Sequence, residues 1–414
     1  MRRYYYNLRF ITLRFEVTVL FQTFDDKQNC FAIFSNGKLH LKKYSKINSL
    51  TKTWSYSEFL GDREIEYAQL YCDGESLDDV CPDFLRKDWD RVKNRLKAFY
   101  RSMQEADLSL NDHCFFDMVP RFFLQDYALV KNSICRYVFS SREKPCNYDF
   151  LVDLTKLLTE IKNRKLKIDF KELDSQRCML KVRNFIKHNK KNPPYVVYDP
   201  FKTKTGRLVT KNSFPILTMD KTYRKILKPN NDWFIEFDFN AAELRVLLGL
   251  LGKEQPQEDL HEWNRKNVYH GTVTREEAKK RIFAWLYNPE SQDQLSNKVY
   301  NRKKLLKKYW DGSKVSTIYN RTIESDKHHA LNYLVQSTAA DLFLRQAVAI
   351  RNLLKNKKSY IAFMLHDSIV IDFSEEDVKE LKEIKRQFGQ TKLGNFLVNV
   401  SAGKDFGTLQ RMKI

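Results

Sequence analysis

A chain of 414 residues is too long for one small core, so two or three sub-domains are expected. With 42% hydrophobic and 14% aromatic residues it can pack real cores, which excludes an intrinsically disordered protein. Lys and Arg number 73 against 52 Asp and Glu, a net charge of +21. That is either ordinary basicity or the footprint of a polyanionic partner, nucleic acid being the first candidate.

Seven cysteines (Cys30, Cys72, Cys81, Cys114, Cys135, Cys146 and Cys178) make an odd set with no CxxC pair. This argues against a disulfide framework or a zinc site and for a reducing compartment, the cytoplasm. The start is basic and then apolar, like a signal peptide, but Arg9, Arg14 and Glu16 interrupt the apolar run and no small-residue cleavage site follows. Two β-strands are the reading there. No stretch approaches ~18 uninterrupted apolar residues, so no membrane span and no membrane partner are expected.

Residues 1 to about 75 read as mostly β, with strand patterns over Leu8–Val19, Cys30–Phe34 and Leu39–Tyr44 and a hairpin turn at Asn36-Gly37. A charged helical pattern runs from about Asp83 to Asp107, and residues 115–140 are aromatic-rich and helical. Asp62-Arg63-Glu64 and Asp73-Gly74-Glu75 each resemble the Asp-x-Glu of a nuclease, the second after the apolar run Tyr67–Tyr71. A two-metal exonuclease needs further acids from later strands, and too little chain remains before residue 150, so solvated surface acids are the better reading.

Leu154–Leu173 reads as an amphipathic helix, a basic turn, a short extended Leu166–Asp169 and a second helix running to about Lys187. It ends in the basic run HNKKNPP, either a phosphate-backbone clamp or a solvated charged face. In TKTGRLVT (Thr203–Thr210), Gly206 permits a tight turn, and Arg207 can project into a groove or onto a phosphate.

FIEFDFNAAELRVLLGLLG (Phe234–Gly252) begins as an alternating strand, reaches one carboxylate, Asp238, and turns into a helix with Leu244, Leu247, Leu248 and Leu251 at spacings of three and four. Asp238 is either a helix cap or a metal ligand on a rigid edge. After DLH (Asp259–His261), Thr274 and Glu277 form a capping box. The helix they open sets Arg275, Lys279, Phe283 and Tyr287 four apart, on one slowly drifting stripe. Two cations followed by two aromatics suit a triphosphate at one end and a base and sugar at the other; a core-facing aromatic stripe with basic neighbours is the alternative.

The basic segment Asn297–Lys314 reads as a short helix pair, and His328–Leu354 as a long helix. Asn332 and Gln336 on it either contact base edges or form a satisfied buried pair. Ser359–Phe373 alternates as two strands around His366-Asp367, a hairpin with a carboxylate at its tip. A helix over Glu375–Phe388 and a closing strand in NFLVNVSAGKDFG complete the chain. Two acids on neighbouring strands, Asp238 and Asp367, can share divalent metals.

DFNAAELR, REEAKKRIFAWLYN and LHDSIVID, in this order, resemble the three polymerase motifs of family A DNA polymerases, the family of bacterial DNA polymerase I and many phage replicases. TGRLVT, DLH, HHALNYLVQSTAADLF, IKNRKLKID and FLVNVSAGKDF are similar to their counterparts. The resemblance covers about residues 150–414 and is specific through the number and order of its motifs.

It implies an α+β right-hand polymerase fold: reduced thumb and palm entry over 150–200, palm over 201–258 and 328–414, and fingers over 259–327 with the motif B helix at 274–288. Residues 1–149 would be a small β-rich, then helical, domain where an exonuclease would lie, without that activity. The resemblance further implies two Mg²⁺ ions, with Mn²⁺ as a substitute, held by Asp238, Asp367 and the Phe239 carbonyl. Arg275, Lys279, His261, Phe283, Tyr287 and Glu243 would bind the dNTP, Lys279 being catalytic and Glu243 excluding a ribose 2′-hydroxyl. Arg207, Asn332, Gln336 and His366 would contact primer–template DNA.

Three departures stand out. Ser368 replaces the Glu that usually follows His-Asp, so the support that acid gives is missing. Asn288 replaces a Gly after the fingers-helix Tyr. Only about 35 residues separate Asp169 from TGR, a truncated thumb that implies weak intrinsic processivity; a processivity factor or a separate exonuclease chain is a candidate partner beside primer–template DNA and dNTPs. The expected function is a template-directed DNA polymerase of compact viral type, located in the host cytoplasm. A single-subunit RNA polymerase and a catalytically dead nucleic-acid-binding relative are the alternatives.

Overall fold

The computed structural model describes residues 19–25, 27–42, 44–110, 112–191, 194–211 and 213–414. The strand pattern expected before Val19 lies outside them. The chain divides into two compact units, Met1–Lys144 and Pro145–Ile414.

In the first unit, β1 (Phe21–Thr23), β2 (Ala32–Ser35) and β3 (Lys38–Leu41) form an antiparallel sheet in that order. The turn between β2 and β3 is the expected Asn36-Gly37, both at positive φ (51° and 74°), the geometry that lets a two-residue turn follow the twist of its strands. Two long helices follow, α1 (Asp83–Glu105) and α2 (Arg121–Ser141), packed on each other through apolar stripes that include Trp89, Val92, Phe123 and Ile134.

The run Tyr67–Tyr71 does not form the strand that the nuclease comparison needs. Its strand ends at Tyr67, and Ala68–Tyr71 is one helical turn. Asp62, Glu64, Asp73 and Glu75 are all exposed. The cysteine expectation needs correction: Cys30 and Cys114 are joined in a disulfide across 84 residues. Such a pairing depends on tertiary approach and leaves no local spacing signal, and it removes the cysteine argument for a reducing compartment.

In the second unit, α3 (Tyr148–Asn163) leads through the short strand Lys167–Ile168 to a region expected as one helix. Instead Phe170–Gln176 is a tight 3₁₀ segment, capped by Asp169 accepting from the Lys171 amide, and α4 begins only at Leu180 and runs to Lys191. Asp174 and Ser175 are weak helix formers, which fits the break. The region after Ser374 is split in the same way, 3₁₀ over Glu375–Glu380 and then a regular helix.

The central strand β4 (Trp233–Phe239) is followed by α5 (Ala242–Leu250), α6 (Leu260–Asn267), α7 (Arg275–Tyr287), the basic pair α8 (Gln294–Tyr300) and α9 (Arg302–Tyr309), and the long α10 (Ala330–Leu353). Then come β5 (Tyr360–Leu365), β6 (Ser368–Phe373), α11 (Leu381–Gly389), β7 (Val398–Gly403) and β8 (Gln410–Arg411).

The five strands pair antiparallel in the order β5-β6-β4-β7-β8. Alternation along β4 turns Ile235, Phe237 and Phe239 into the core, where Phe239 stacks on Phe388 of α11 with ring centroids 4.2 Å apart. Each such fully buried side chain contributes roughly 1.5–3 kcal/mol. Glu236 and Asp238 point to the opposite face. The outer edge of β5 is covered by Tyr198, whose hydroxyl donates to the Met364 carbonyl at 2.6 Å and accepts from the Met364 amide at 2.8 Å. Among the described residues no helix is long and apolar enough to cross a membrane.

Candidate functional site

Asp238 is the penultimate residue of β4 and pairs with Ser368 on β6 and with Asn399 on β7. It caps no helix: the N-cap of α5 is Ala241, in the left-handed region with φ 53° and no side-chain hydrogen bond. Asp367 sits in the two-residue turn between β5 and β6, beside His366 at φ 38°, and its carbonyl accepts from the Phe239 amide at 3.3 Å. The sheet therefore brings the two acids together from sequence positions 129 apart, by the pairing of β4 with β6.

Burial, and then the charge of Asp367, push the Asp238 carboxyl up to about 7, against a single long hydrogen bond from Asn399 Nδ2 at 3.3 Å. Burial also raises Asp367. Among the described residues neither acid forms a salt bridge; the charges of His366 and Arg207 act on Asp367 without direct pairing, so the pair stays a partly buried concentration of negative charge. That state is costly unless something else supplies positive charge.

Contacts run outward from this pair. Asp367 feels the charges of Glu243 and Arg207. Glu243, in the first turn of α5, accepts hydrogen bonds from Arg207 and from the Tyr287 hydroxyl. Tyr287 also meets Gln336 and stacks nearly parallel on Phe283, centroids 5.9 Å apart. Its phenol is raised by burial and by Glu243. His261 of α6 packs its ring 5.8 Å from Phe283 and is pushed below its ordinary value by burial. His261 Nδ1 and Asn332 Oδ1 are buried and, among the described residues, have no hydrogen-bond partner. Gly206 of the TGR turn is required by close approach, since a Cβ there would lie 2.5 Å from an Arg321 guanidinium nitrogen.

On α7 the capping box of Thr274 and Glu277 forms as expected. The core face of this helix is Ala278, Ile282, Trp285 and Leu286, so the Arg275–Tyr287 stripe lies off it and is not a core stripe. Its two ends, about 18 Å apart at 1.5 Å per residue, are tethered differently. Tyr287 is held by Glu243. Arg275 is held by Asp259, which accepts from its Nε and Nη2 at 2.9 Å each. Burial alone would raise Asp259, but bonds from Arg275, Asn240 and the Glu262 amide hold it well below the usual carboxylate range. Lys279 is exposed and, among the described residues, forms no salt bridge. His366 is exposed beside Asp367.

Asp238, Asp367, Glu243, Arg207, Tyr287, Gln336, Phe283 and His261 thus form one continuous set, and the charges of Lys279 and Arg275 on α7 reach it at His261. Asp259, Asn399 and Glu236 were not singled out from the sequence. Asp259 stands in the quoted DLH, and Glu236 stands two before Asp238, the period that places two strand residues on one face.

Two carboxylates, one near the end of β4 and one in the β5–β6 turn, both raised by burial and neither in a salt bridge among the described residues, are hard-oxygen donors of the kind Mg²⁺ takes. A chain with this architecture is similar to the POL domain of Pol1 from M. smegmatis, solved in complex with DNA primer-template and dNTP. The TM-score is 0.64 at 10% identity, over 94% of this chain and 96% of that one. At that identity the likeness is one of fold: the chain has the fold of a polymerase domain. No family model matches it, and no curated protein does.

Proposed function

We propose that this chain is a template-directed DNA polymerase of the family A type that adds dNTPs to a primer 3′ end. The observation that carries the reading is the Asp238–Asp367 pair, brought together by the pairing of β4 with β6, in no salt bridge among the described residues, and linked through Glu243 to the Arg275–Tyr287 helix. In this reading residues 201–258 and 328–414 are the palm, 259–327 the fingers and 150–200 a reduced thumb. Residues 1–149 carry no proofreading activity, and the compact layout suits a viral enzyme.

Asp238, Asp367 and the Phe239 carbonyl would hold the metals. When bound, two Mg²⁺ ions lower the pKa of the primer 3′-hydroxyl and offset charge on the reacting phosphate. The 3′-oxygen forms a bond to the α-phosphorus as the bond to pyrophosphate breaks. Lys279 neutralises the departing pyrophosphate, with Arg275 beside it once that guanidinium exchanges Asp259 for phosphate. His261 and Phe283 flank the nucleotide, and Tyr287 covers the templating position. Glu243 occupies the space that a ribose 2′-hydroxyl needs. Arg207, Asn332, Gln336 and His366 contact the duplex; the orphaned Asn332 Oδ1 fits a role completed by a ligand.

The test is extension of a labelled primer–template by the full-length chain with Mg²⁺ and either dNTPs or rNTPs. Extension with dNTPs, lost in Asp238→Asn, is the expected result. No extension by the wild type, or equal extension by the variant, would sink the reading, and preference for rNTPs would reassign it to an RNA polymerase. Glu243→Ala is expected to raise rNTP use by about tenfold or more, by removing a steric and polar conflict of ~1.4 kcal/mol or more.

A further inference from the structure

Ser368 leaves the β5–β6 turn with one carboxylate, Asp367, yet the polar face of the sheet carries another acid. Glu236 lies two residues before Asp238 on β4, so both side chains leave the strand on the same face. Ser368 is paired with Asp238 across β4 and β6 and therefore shares that face. Its hydroxyl, itself buried, donates to Glu236 Oε1 at 3.0 Å. Glu236 is paired with Val370 on one side and Ser401 on the other. Among the described residues no Lys, Arg or His pairs with it.

A half-buried carboxylate is thus held, among the described residues, by one neutral hydroxyl, and its charge acts on Asp238. Acids buried more deeply in this chain carry a cation or several amide donors. Asp341 has Arg321 at 2.7 and 2.9 Å, and Asp372 has two backbone amides and a phenol.

We propose that Glu236 is a positioning acid for the Asp238–Asp367 site, supplied by the strand of Asp238 and aimed by Ser368, in place of an acid following Asp367. The inference rests on the polymerase reading above. Among the described residues, the only three potential ligand atoms gathered within 4.8 Å of one another lie elsewhere, at Asp25, Cys30 and Cys114. Glu236, two residues before Asp238 on the same strand face, would therefore act on the site through its charge. It is a positioning residue rather than a ligand shared with Asp238 and Asp367.

The serine and the glutamate then form one device. The hydroxyl fixes the rotamer of the carboxylate, and the exchange of acid and hydroxyl between neighbouring strands keeps the charge of the site at three carboxylates. Moving the acid back across the strand pair should accordingly preserve the site.

The experiment is a Mn²⁺ titration of the full-length protein without DNA, followed by electron paramagnetic resonance, with primer extension as a second readout across a Mg²⁺ series. Glu236→Gln keeps an acceptor for the Ser368 hydroxyl and removes only the charge. It is expected to weaken Mn²⁺ binding about tenfold and to shift the Mg²⁺ requirement upward in proportion. The double variant E236Q/S368E is expected to regain most of that affinity. Unchanged Mn²⁺ affinity in Glu236→Gln, or no recovery in the double variant, would overturn the proposal while leaving the polymerase reading intact if the wild type extends primers. If the wild type neither binds Mn²⁺ nor extends primers, the reading on which the proposal rests fails instead.

Discussion

The two ends of the strand pair β4–β6 bury acids in opposite ways. At the base, Asp372 is 1% exposed and accepts from the Asn230 amide at 2.7 Å, the Asn231 amide at 2.8 Å and the Tyr360 hydroxyl at 3.0 Å. At the tip, Asp238 has Asn399 at 3.3 Å and the repulsion of Asp367. Burial is common to both ends, so it does not mark chemistry. What distinguishes the tip is burial with too few donors and a like charge alongside. The base uses its acid to tie the Asn230-Asn231 loop to the sheet, and the tip leaves Asp238 with one long hydrogen bond among the described residues.

The largest effect expected from this contrast is on activity. Asp238→Asn and Asp367→Asn should each reduce primer extension by about 1,000-fold or more, several kcal/mol of lost transition-state stabilisation, without unfolding the protein. A loss of only a few fold in a steady-state assay would break the contrast at the tip.

At the base the loss should fall on stability. Asp372→Ala leaves two amides and a phenol short of an acceptor and should cost about 3 kcal/mol in denaturant unfolding. Its folded fraction should keep extension within a few fold of wild type. Undiminished stability would mean that the three hydrogen bonds carry little.

The smallest effect is a pH dependence. Asp238 titrates near 7 in the folded chain and near the usual 3.8 when unfolded. Its contribution is therefore fully present below about 4 and is lost as pH rises through 7. In EDTA, Asp238→Asn should melt progressively above wild type as pH is raised from 5 to 8, and added Mg²⁺ should narrow the gap. A gap that stays constant across that range would show that Asp238 is not held above its ordinary value.

Much of the site was legible because its signals are local. The alternation in FIEFD, the three-and-four spacing after Ala241, the Thr274–Glu277 box and the apolar runs around His366-Asp367 each fix an element from a few neighbouring residues. Pairing of β4 with β6 is less legible, because β6 is buried at every position and so carries no one-face pattern. What escaped depends on approach between distant segments. The Cys30–Cys114 bond, the hold of Asp259 on Arg275 and the bond from Ser368 to Glu236 have no spacing rule. The broken helix over Phe170–Lys191 escaped for a different reason, because weak helix formers at Asp174 and Ser175 decide between a 3₁₀ and an α turn by small margins. Ser368 illustrates the cost of reading one position alone: it marked a missing acid, while the residue it orients lay two places before Asp238.

Tyr198 has a consequence beyond the local fold. β5 is the outermost strand on its side of the sheet, and an outermost strand offers its free amides and carbonyls to any passing chain. By occupying both backbone groups of Met364, one phenol interrupts that row next to the turn that carries Asp367. The sheet is thereby guarded against self-association at the edge of the hairpin that carries Asp367.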